Sequence, residues 1–250
     1  MPPLSYGFLP DRNVIEIRWI EVDGISDKDW PNLRSMLSDE ERARADRFHF
    51  DHDRAVYVAG HALVRAMLSA VVSKAQETGG FTGNDFGKPE AIMPTGSPKL
   101  RVNLSHTRGM AAVALGLDLD LGIDVETRKR TLLTLDLADR YFAPAEVALL
   151  KRLPASELNE ALFSLWTLKE AFIKAVGKGL SIPLDSFAFN LDPEAFSLDD
   201  GNPEEWFFMR LKPVQDYAMA VALRHPEPAS VRVNAQAVSA ASLFGNFAMY

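Results

Sequence analysis

Two long helical runs, each a fixed distance behind a helix-start signal, constrain this chain more than any other feature of its sequence. Ser38-Asp-Glu-Glu41 has the form of a capping box, in which the serine oxygen accepts from an exposed backbone N–H and the glutamate reaches back to the serine. The run from Asp53 to about Lys74 carries Val56, Ala59, Leu63, Met67 and Val71 at a spacing that buries one helical face. In the second half, Ala143-Pro-Ala-Glu146 places proline in the first turn of a helix, and a second run extends from about Leu158 to Val176. Glu41 to Arg65 and Glu146 to Glu170 are each 24 residues apart, the relation that two copies of one helical unit would have. Leu100 to Leu104, Met110 to Leu117 and Leu121 to Glu126 read as strands, the first two separated by a polar turn from Ser105 to Gly109, and Thr78 to Pro98 reads as loop with short strands. The pattern predicts an α+β fold of two similar, pseudo-duplicated lobes with a site in the cleft between them. The lobes are placed at residues 1–120 and 121–225, joined near Asp118 to Gly122, with 226–250 as a peripheral C-terminal extension of low charge.

Composition removes several classes of function. The chain has no cysteine, which excludes disulfides, thiolate metal sites and cysteine nucleophiles, so its chemistry rests on oxygen and nitrogen groups; a reducing cytoplasm suits such a chain. A net charge of −7 argues against a general nucleic-acid binder. The longest apolar stretch, Ala111 to Leu117, falls far short of the roughly 20 residues of a membrane-spanning helix, and the first 20 residues lack the apolar core of a signal peptide. Arginine clusters at Arg42, Arg44, Arg47 and Arg54, and at Arg128, Lys129 and Arg130, are either solvated surface or contacts for a phosphorylated or acidic partner.

Leu121-Gly-Ile-Asp-Val-Glu126 sets Asp124 and Glu126 on one face of a strand while Ile123 and Val125 point to the other. Two carboxylates about 4 Å apart repel by roughly 4 kcal/mol at an effective dielectric of about 20, so a close pair either shares a proton or binds a cation, and hard oxygen donors suit Mg²⁺. The alternative is an edge strand whose acids splay into water. Trp166, Glu170 and Lys174 fall on one stripe of the second helical run, ended by Gly177-Lys-Gly179. Asn103-Leu-Ser-His106 ends a strand, and no G-x-S-x-G elbow surrounds Ser105, so His106 is assigned to phosphate contact or to a structural turn. Phe86-Gly-Lys-Pro89 holds a further lysine in a proline turn.

Taken in order, Gly87-Lys-Pro89, Asn103-Leu-Ser-His106, Gly122-Ile-Asp-Val-Glu126 and Trp166-Thr-Leu-Lys-Glu170 through Gly177-Lys-Gly-Leu180 resemble the signature of the Sfp-type 4′-phosphopantetheinyl transferases, over residues from about Leu37 to His225. The resemblance implies a Mg²⁺-dependent holo-[acyl-carrier-protein] synthase, a cytoplasmic enzyme that moves the 4′-phosphopantetheine group of coenzyme A onto a serine of an apo acyl or peptidyl carrier protein and releases adenosine 3′,5′-bisphosphate. It implies Asp124, Glu126 and Glu170 as metal ligands, with Lys88, Pro89, Ser105, His106 and Lys174 at the coenzyme A phosphates. Glu170, Lys174 and His106 are the implied catalytic groups, Glu170 taking the serine proton. Where some members carry basic residues, near the positions of Glu41 and Val56, this chain does not, so Arg47 and Arg54 become the candidates for the 3′-phosphate. Part of the family also lacks a carboxylate at the position of Glu126. The segment from Arg128 to Leu135, basic then apolar, is the candidate docking patch for the carrier protein. Two lobes in one chain are compatible with a monomer, and neither nucleic acid nor membrane is an expected partner. A Mg²⁺-dependent diphosphate hydrolase and a catalytically silent coenzyme A or carrier binder are the rival readings.

Overall fold

A computed structural model of the chain describes residues 11–71, 81–83, 89–91, 99–129, 133–177, 182–191, 194–198 and 201–244. The chain divides into two compact units, residues 1–119 with 231–250 and residues 120–230.

In the first unit, β1 (Val14–Glu21) is followed by α1 (Trp30–Ser35), α2 (Asp39–Ala45) and α3 (Asp51–Val71), then by the short strands β2 (Phe81–Gly83) and β3 (Pro89–Ala91) and by β4 (Leu100–Thr107) and β5 (Met110–Leu117). The final strand, β11 (Arg232–Ala237), completes a four-stranded sheet in the order β11-β1-β5-β4, parallel only between β1 and β11. The predicted capping box is present: Glu41 N–H donates to Ser38 Oγ at 3.2 Å, and Ser38 N–H donates to Glu41 Oε2 at 2.8 Å. α3 buries Ala59, Leu63, Met67 and Val71 among the residues that form the core with Val113 and Leu115 of β5. A Cβ at Gly60 would lie 3.1 Å from Leu104 Cδ1 and 3.3 Å from Ala111 Cβ, so the helix approaches the sheet closely at that turn. On β1, Glu16 and Arg18 form a buried ion pair at 2.9 Å, and Arg18 Nη1 donates to the carbonyls of Ile17 and Asn234, the latter on β11.

Two expectations change here. The stretch after His225, read as a peripheral extension, contains β11, and Val231 onward belongs to the first unit. β11 is an edge strand with no buried position, so its alternation of Arg232, Asn234 and Gln236 with the small apolar Val233, Ala235 and Ala237 is too short and weakly apolar to stand out in the sequence. The polar turn also shrinks: β4 continues through Ser105 and His106 to Thr107, leaving a hairpin loop of Arg108 and Gly109, with Gly109 at φ 82°.

The second unit runs through β6 (Asp120–Thr127), α4 (Leu135–Tyr141), α5 (Pro144–Leu150), α6 (Ala155–Val176), β7 (Phe187–Leu191), β8 (Glu194–Leu198), β9 (Trp206–Leu211) and β10 (Tyr217–Arg224). β6, β10 and β9 form an antiparallel sheet in that order, and β7 pairs with β8 in a separate hairpin. α6 lies on the sheet so closely that a Cβ at Gly122 would fall 2.2 Å from the Ala171 carbonyl oxygen and 2.5 Å from the Ala175 nitrogen. Only glycine fits there. Beside that contact, Phe172 packs at ring distances of 4.6 Å to Phe187, 5.2 Å to Phe196 and 4.7 Å to Trp206.

Candidate active site

The close seat of α6 on Gly122 decides what the rest of β6 meets. Positions two apart on a strand share a face, so Asp124 and Glu126 follow Gly122 on the side that carries α6, while Ile123 and Val125 are buried on the other. Across the strand pair, Asp124 lies opposite Ala220 and Glu126 opposite Ala218, small neighbours that leave the acids room. On α6, Glu170 and Lys174 are one turn apart, and Lys174 Nζ donates to Asp124 Oδ1 at 2.7 Å and to the Ile123 carbonyl at 3.1 Å. Burial raises the Glu170 carboxyl above its ordinary range, and the charges of Asp124 and Glu126 add to the rise while Lys174 opposes it. The structure therefore gathers the four groups that the sequence placed on two separate elements.

Three of these groups, Asp124, Glu126 and Glu170, are hard oxygen donors whose mutual repulsion a divalent cation would relieve, so their chemistry fits Mg²⁺. Their placement is that of a charge cluster held by an ammonium group: among the described residues no three His, Asp or Glu side chains are arranged to hold a metal ion, and Lys174 rests on Asp124.

In the first unit, Ser105 is buried and His106 exposed, and as neighbours on β4 they project from opposite faces of the sheet. Arg47 is exposed just past α2. Arg54 is committed locally: its guanidinium donates to the carbonyls of Ala45 and Phe48 and to Asp51 Oδ1 at 2.6 Å, closing the turn between α2 and α3. Pro89 begins β3, paired with Gly83 of β2, and Lys88 lies outside the described residues. Lys178 to Leu180 and residues 130–132 of the expected docking patch also lie outside them.

Sequence reasoning missed the neighbour of Glu170. Lys169 is fully buried, its Nζ 2.7 Å from Glu146 Oε2 and donating to the carbonyls of Leu184 and Phe187, each at 2.7 Å. It sits 4.2 Å from the centroid of the Phe187 ring and 5.5 Å from that of Phe142. Glu146 accepts in addition from the N–H groups of Ala143 and Phe189, both at 3.0 Å. Glu146 thus pairs with the residue just before Glu170 on α6. The signal available in the sequence was a lysine flanked by Leu168, Ala171 and Phe172, on a face too apolar to be solvated.

Comparison with known proteins agrees with this geometry. A family model described as the 4′-phosphopantetheinyl transferase superfamily matches residues 120–222, and one described as the N-terminal part of 4′-phosphopantetheinyl transferase matches residues 25–116. The chain is 32% identical over 192 residues to the 4′-phosphopantetheinyl transferase HetI of Nostoc sp., an alignment covering 77% of this chain and 80% of that one. It is 30% identical over 205 residues to the 4′-phosphopantetheinyl transferase Sfp of Bacillus subtilis, covering 81% and 89%. A further 4′-phosphopantetheinyl transferase of Bacillus subtilis is 30% identical over 198 residues, covering 78% and 85%.

Proposed function

Because this chain belongs to the Sfp-type 4′-phosphopantetheinyl transferase family, we propose that it transfers the 4′-phosphopantetheine group of coenzyme A to a serine of an apo acyl or peptidyl carrier protein. The observation that carries the reading is the convergence of Asp124, Glu126, Glu170 and Lys174 on one face of β6 under α6.

Serine is a weak nucleophile until its proton is removed. Glu170, whose carboxyl is raised by burial and by its acidic neighbours, has the affinity to accept that proton as the serine oxygen attacks the pantetheine-bearing phosphorus. A new P–O bond forms to serine, the P–O bond to the bridging oxygen breaks, and that oxygen leaves with the electron pair as part of adenosine 3′,5′-bisphosphate. Lys174 is one turn from Glu170 and supplies an ammonium group for the charge that develops on the departing phosphate. Asp124 orients Lys174 through the 2.7 Å contact. Asp124, Glu126 and Glu170, although their side chains are not arranged around one point, carry the oxygen donors that would hold Mg²⁺, which when bound supplies neutralisation of diphosphate charge. Lys88, Pro89, Ser105 and His106 are proposed to meet the coenzyme A phosphates. Of the two arginines considered for the 3′-phosphate, Arg47 is the better candidate, since Arg54 serves the α2–α3 turn. Among the described residues no helix is long and apolar enough to cross a membrane. The reading takes the enzyme as a cytoplasmic monomer.

The test is the intact mass of an apo carrier protein after incubation with the protein, coenzyme A and Mg²⁺. A gain equal to phosphopantetheine, abolished by EDTA and by Glu170→Ala, is the expected result. Consumption of coenzyme A with no change in any carrier would make the chain a hydrolase instead.

A further inference from the structure

A second charged site lies in the second unit, away from the carboxylate cluster yet in register with it. It is a cavity of about 390 Å³ between α6 and the β9–β10 hairpin, with Arg128, Arg210, Lys212, Glu160 and Tyr217 among its walls. Asp124 pairs with Ala220, and Ala220 pairs with Arg210 on the next strand, so acid and arginine share one sheet face about 10 Å apart. Arg128 extends the line of Asp124 and Glu126 by one more step, its N–H donating to the Asp216 carbonyl at 2.8 Å. On the helix the wall climbs from Thr167, about one turn before Glu170, through Ser164 to Glu160.

Three cations converge here on one carboxylate. Lys212 Nζ lies 2.5 Å from Glu160 Oε1, and an Arg128 guanidinium nitrogen 3.6 Å from Oε2. The hydrogen bond from Lys212 and the charges of Lys212, Arg128 and Arg210 together hold the Glu160 carboxyl below its ordinary range. One acid among three bases leaves an excess of positive charge. The cavity is open to water on one side: the Lys212 side chain is 73% exposed and that of Glu160 48%, while Arg128, at 19%, forms the floor.

We propose that this cavity receives an acidic side chain of the acceptor protein, from a residue a few positions away from the serine that is modified. The proposal rests on the transfer reading above. A serine hydroxyl offers little for recognition, so an acceptor must be gripped elsewhere, and the grip must be within reach of Glu170. Thr167 and Glu160 lie about 5 and 15 Å along α6 from Glu170, and an extended segment advances about 3.3 Å per residue. An acid two to five residues from the serine therefore spans the distance. Glu160 occupies the place such an acid would take, so docking is an exchange of one carboxylate for another. A free phosphate would call for donors on every side, whereas this cavity is open and already holds a carboxylate.

Steady-state kinetics on the full chain test the proposal, with coenzyme A and an apo carrier protein bearing an acidic residue near its serine, alongside acceptor binding measured by fluorescence anisotropy, which does not depend on turnover. Arg210→Glu with Lys212→Glu should raise the acceptor KM and Kd about tenfold or more, leaving the KM for coenzyme A and the kcat at saturating acceptor within about twofold. Replacing the acceptor's acid with lysine should restore binding to this variant. Glu160→Gln removes the competing carboxylate and should tighten acceptor binding, which a merely structural ion cluster would not do. Arg210→Gln with Lys212→Gln, checked by thermal melting against the parent, should weaken binding by a smaller factor. An unchanged acceptor Kd in the charge-reversed variant, or a rise confined to the KM for coenzyme A, would overturn the proposal. So would calorimetric binding of inorganic phosphate that the variant abolishes, since that makes the cavity a small-anion site. A parent protein that binds the acceptor through this cavity without transferring anything would sink the transfer reading and leave the cavity assignment standing.

Discussion

The two units use one local arrangement in opposite environments. In each, a glutamate at the third position of a short helix accepts a hydrogen bond from the N–H three residues before it and meets a cation from the long helix that follows. In the first unit Glu41 takes Arg65 Nε at 2.7 Å and His61 Nδ1 at 3.1 Å, with each side chain about a fifth exposed. In the second, Glu146 and Lys169 have no exposure at all. The titration of the two acids diverges accordingly. Burial alone would raise Glu41, but hydrogen bonds from His61, Arg65 and Ser38 outweigh it and bring the carboxyl to about 2. At Glu146 burial prevails over Lys169 and the backbone donors and raises the carboxyl, and the same burial lowers Lys169. What separates a peripheral clip from an internal tie is chiefly the water left around it, together with the second side-chain donor, His61, that Glu41 has and Glu146 lacks.

Breaking the buried pair should give the largest effect. Lys169→Ala leaves Glu146 buried without its cation and frees the carbonyls of Leu184 and Phe187, so unfolding in urea should show a loss of about 3–5 kcal/mol. Lys169→Met with Glu146→Leu should recover much of that loss, because it also removes the stranded charge. If the single and double replacements cost the same, the pairing contributes nothing beyond packing.

The helix–sheet contacts extend the comparison. Gly122→Ala drives a Cβ against helix backbone at 2.2 Å, so α6 must shift along with Glu170 and Lys174. A stability loss of about 1–3 kcal/mol should be accompanied by a fall in transfer rate beyond what unfolding explains. Gly60→Ala meets only the ends of side chains at 3.1 and 3.3 Å, and the gain in helix propensity offsets the crowding, so the change should stay under about 1 kcal/mol. Equal effects at the two glycines would show that the contacts are equivalent after all.

Glu41→Gln sharpens the comparison through pH. The folded value near 2 lies below the ordinary value of 4.5, so the stabilisation from Glu41 is fully present above about 4.5 and disappears as the pH falls toward 2. The gap between parent and variant should be about 1–3 kcal/mol at neutral pH and close over that window, as read from urea midpoints.

The sequence made the strand face legible, because alternation on Gly122-Ile-Asp-Val-Glu126 separates acids from core residues whatever the strand packs against. The stripe of Glu170 and Lys174 was legible for the same reason, since helical period is local. The partners were not. Nothing local shows that Lys174 reaches Asp124 or that Arg54 turns back onto Ala45 and Phe48, because those contacts depend on how elements meet. Lys169 was hidden by its type, lysine being a residue that ordinarily seeks water. The polar run from Ser105 reads as a turn because polar side chains mark loops, whereas in the fold Ser105 and His106 continue an edge strand beside a strand of buried apolar residues.

The parallel pairing of β11 with β1 joins residues more than two hundred positions apart, as in the bond from Arg18 to Asn234. On the ribosome, residues 120–230 emerge as one uninterrupted stretch, all of it translated before β11. The first unit, although made earlier, must keep one edge of β1 unpaired until the final strand is translated. Order of synthesis and order of completion are therefore reversed, and the early edge is the place where a nascent chain is most exposed to pairing with a neighbour.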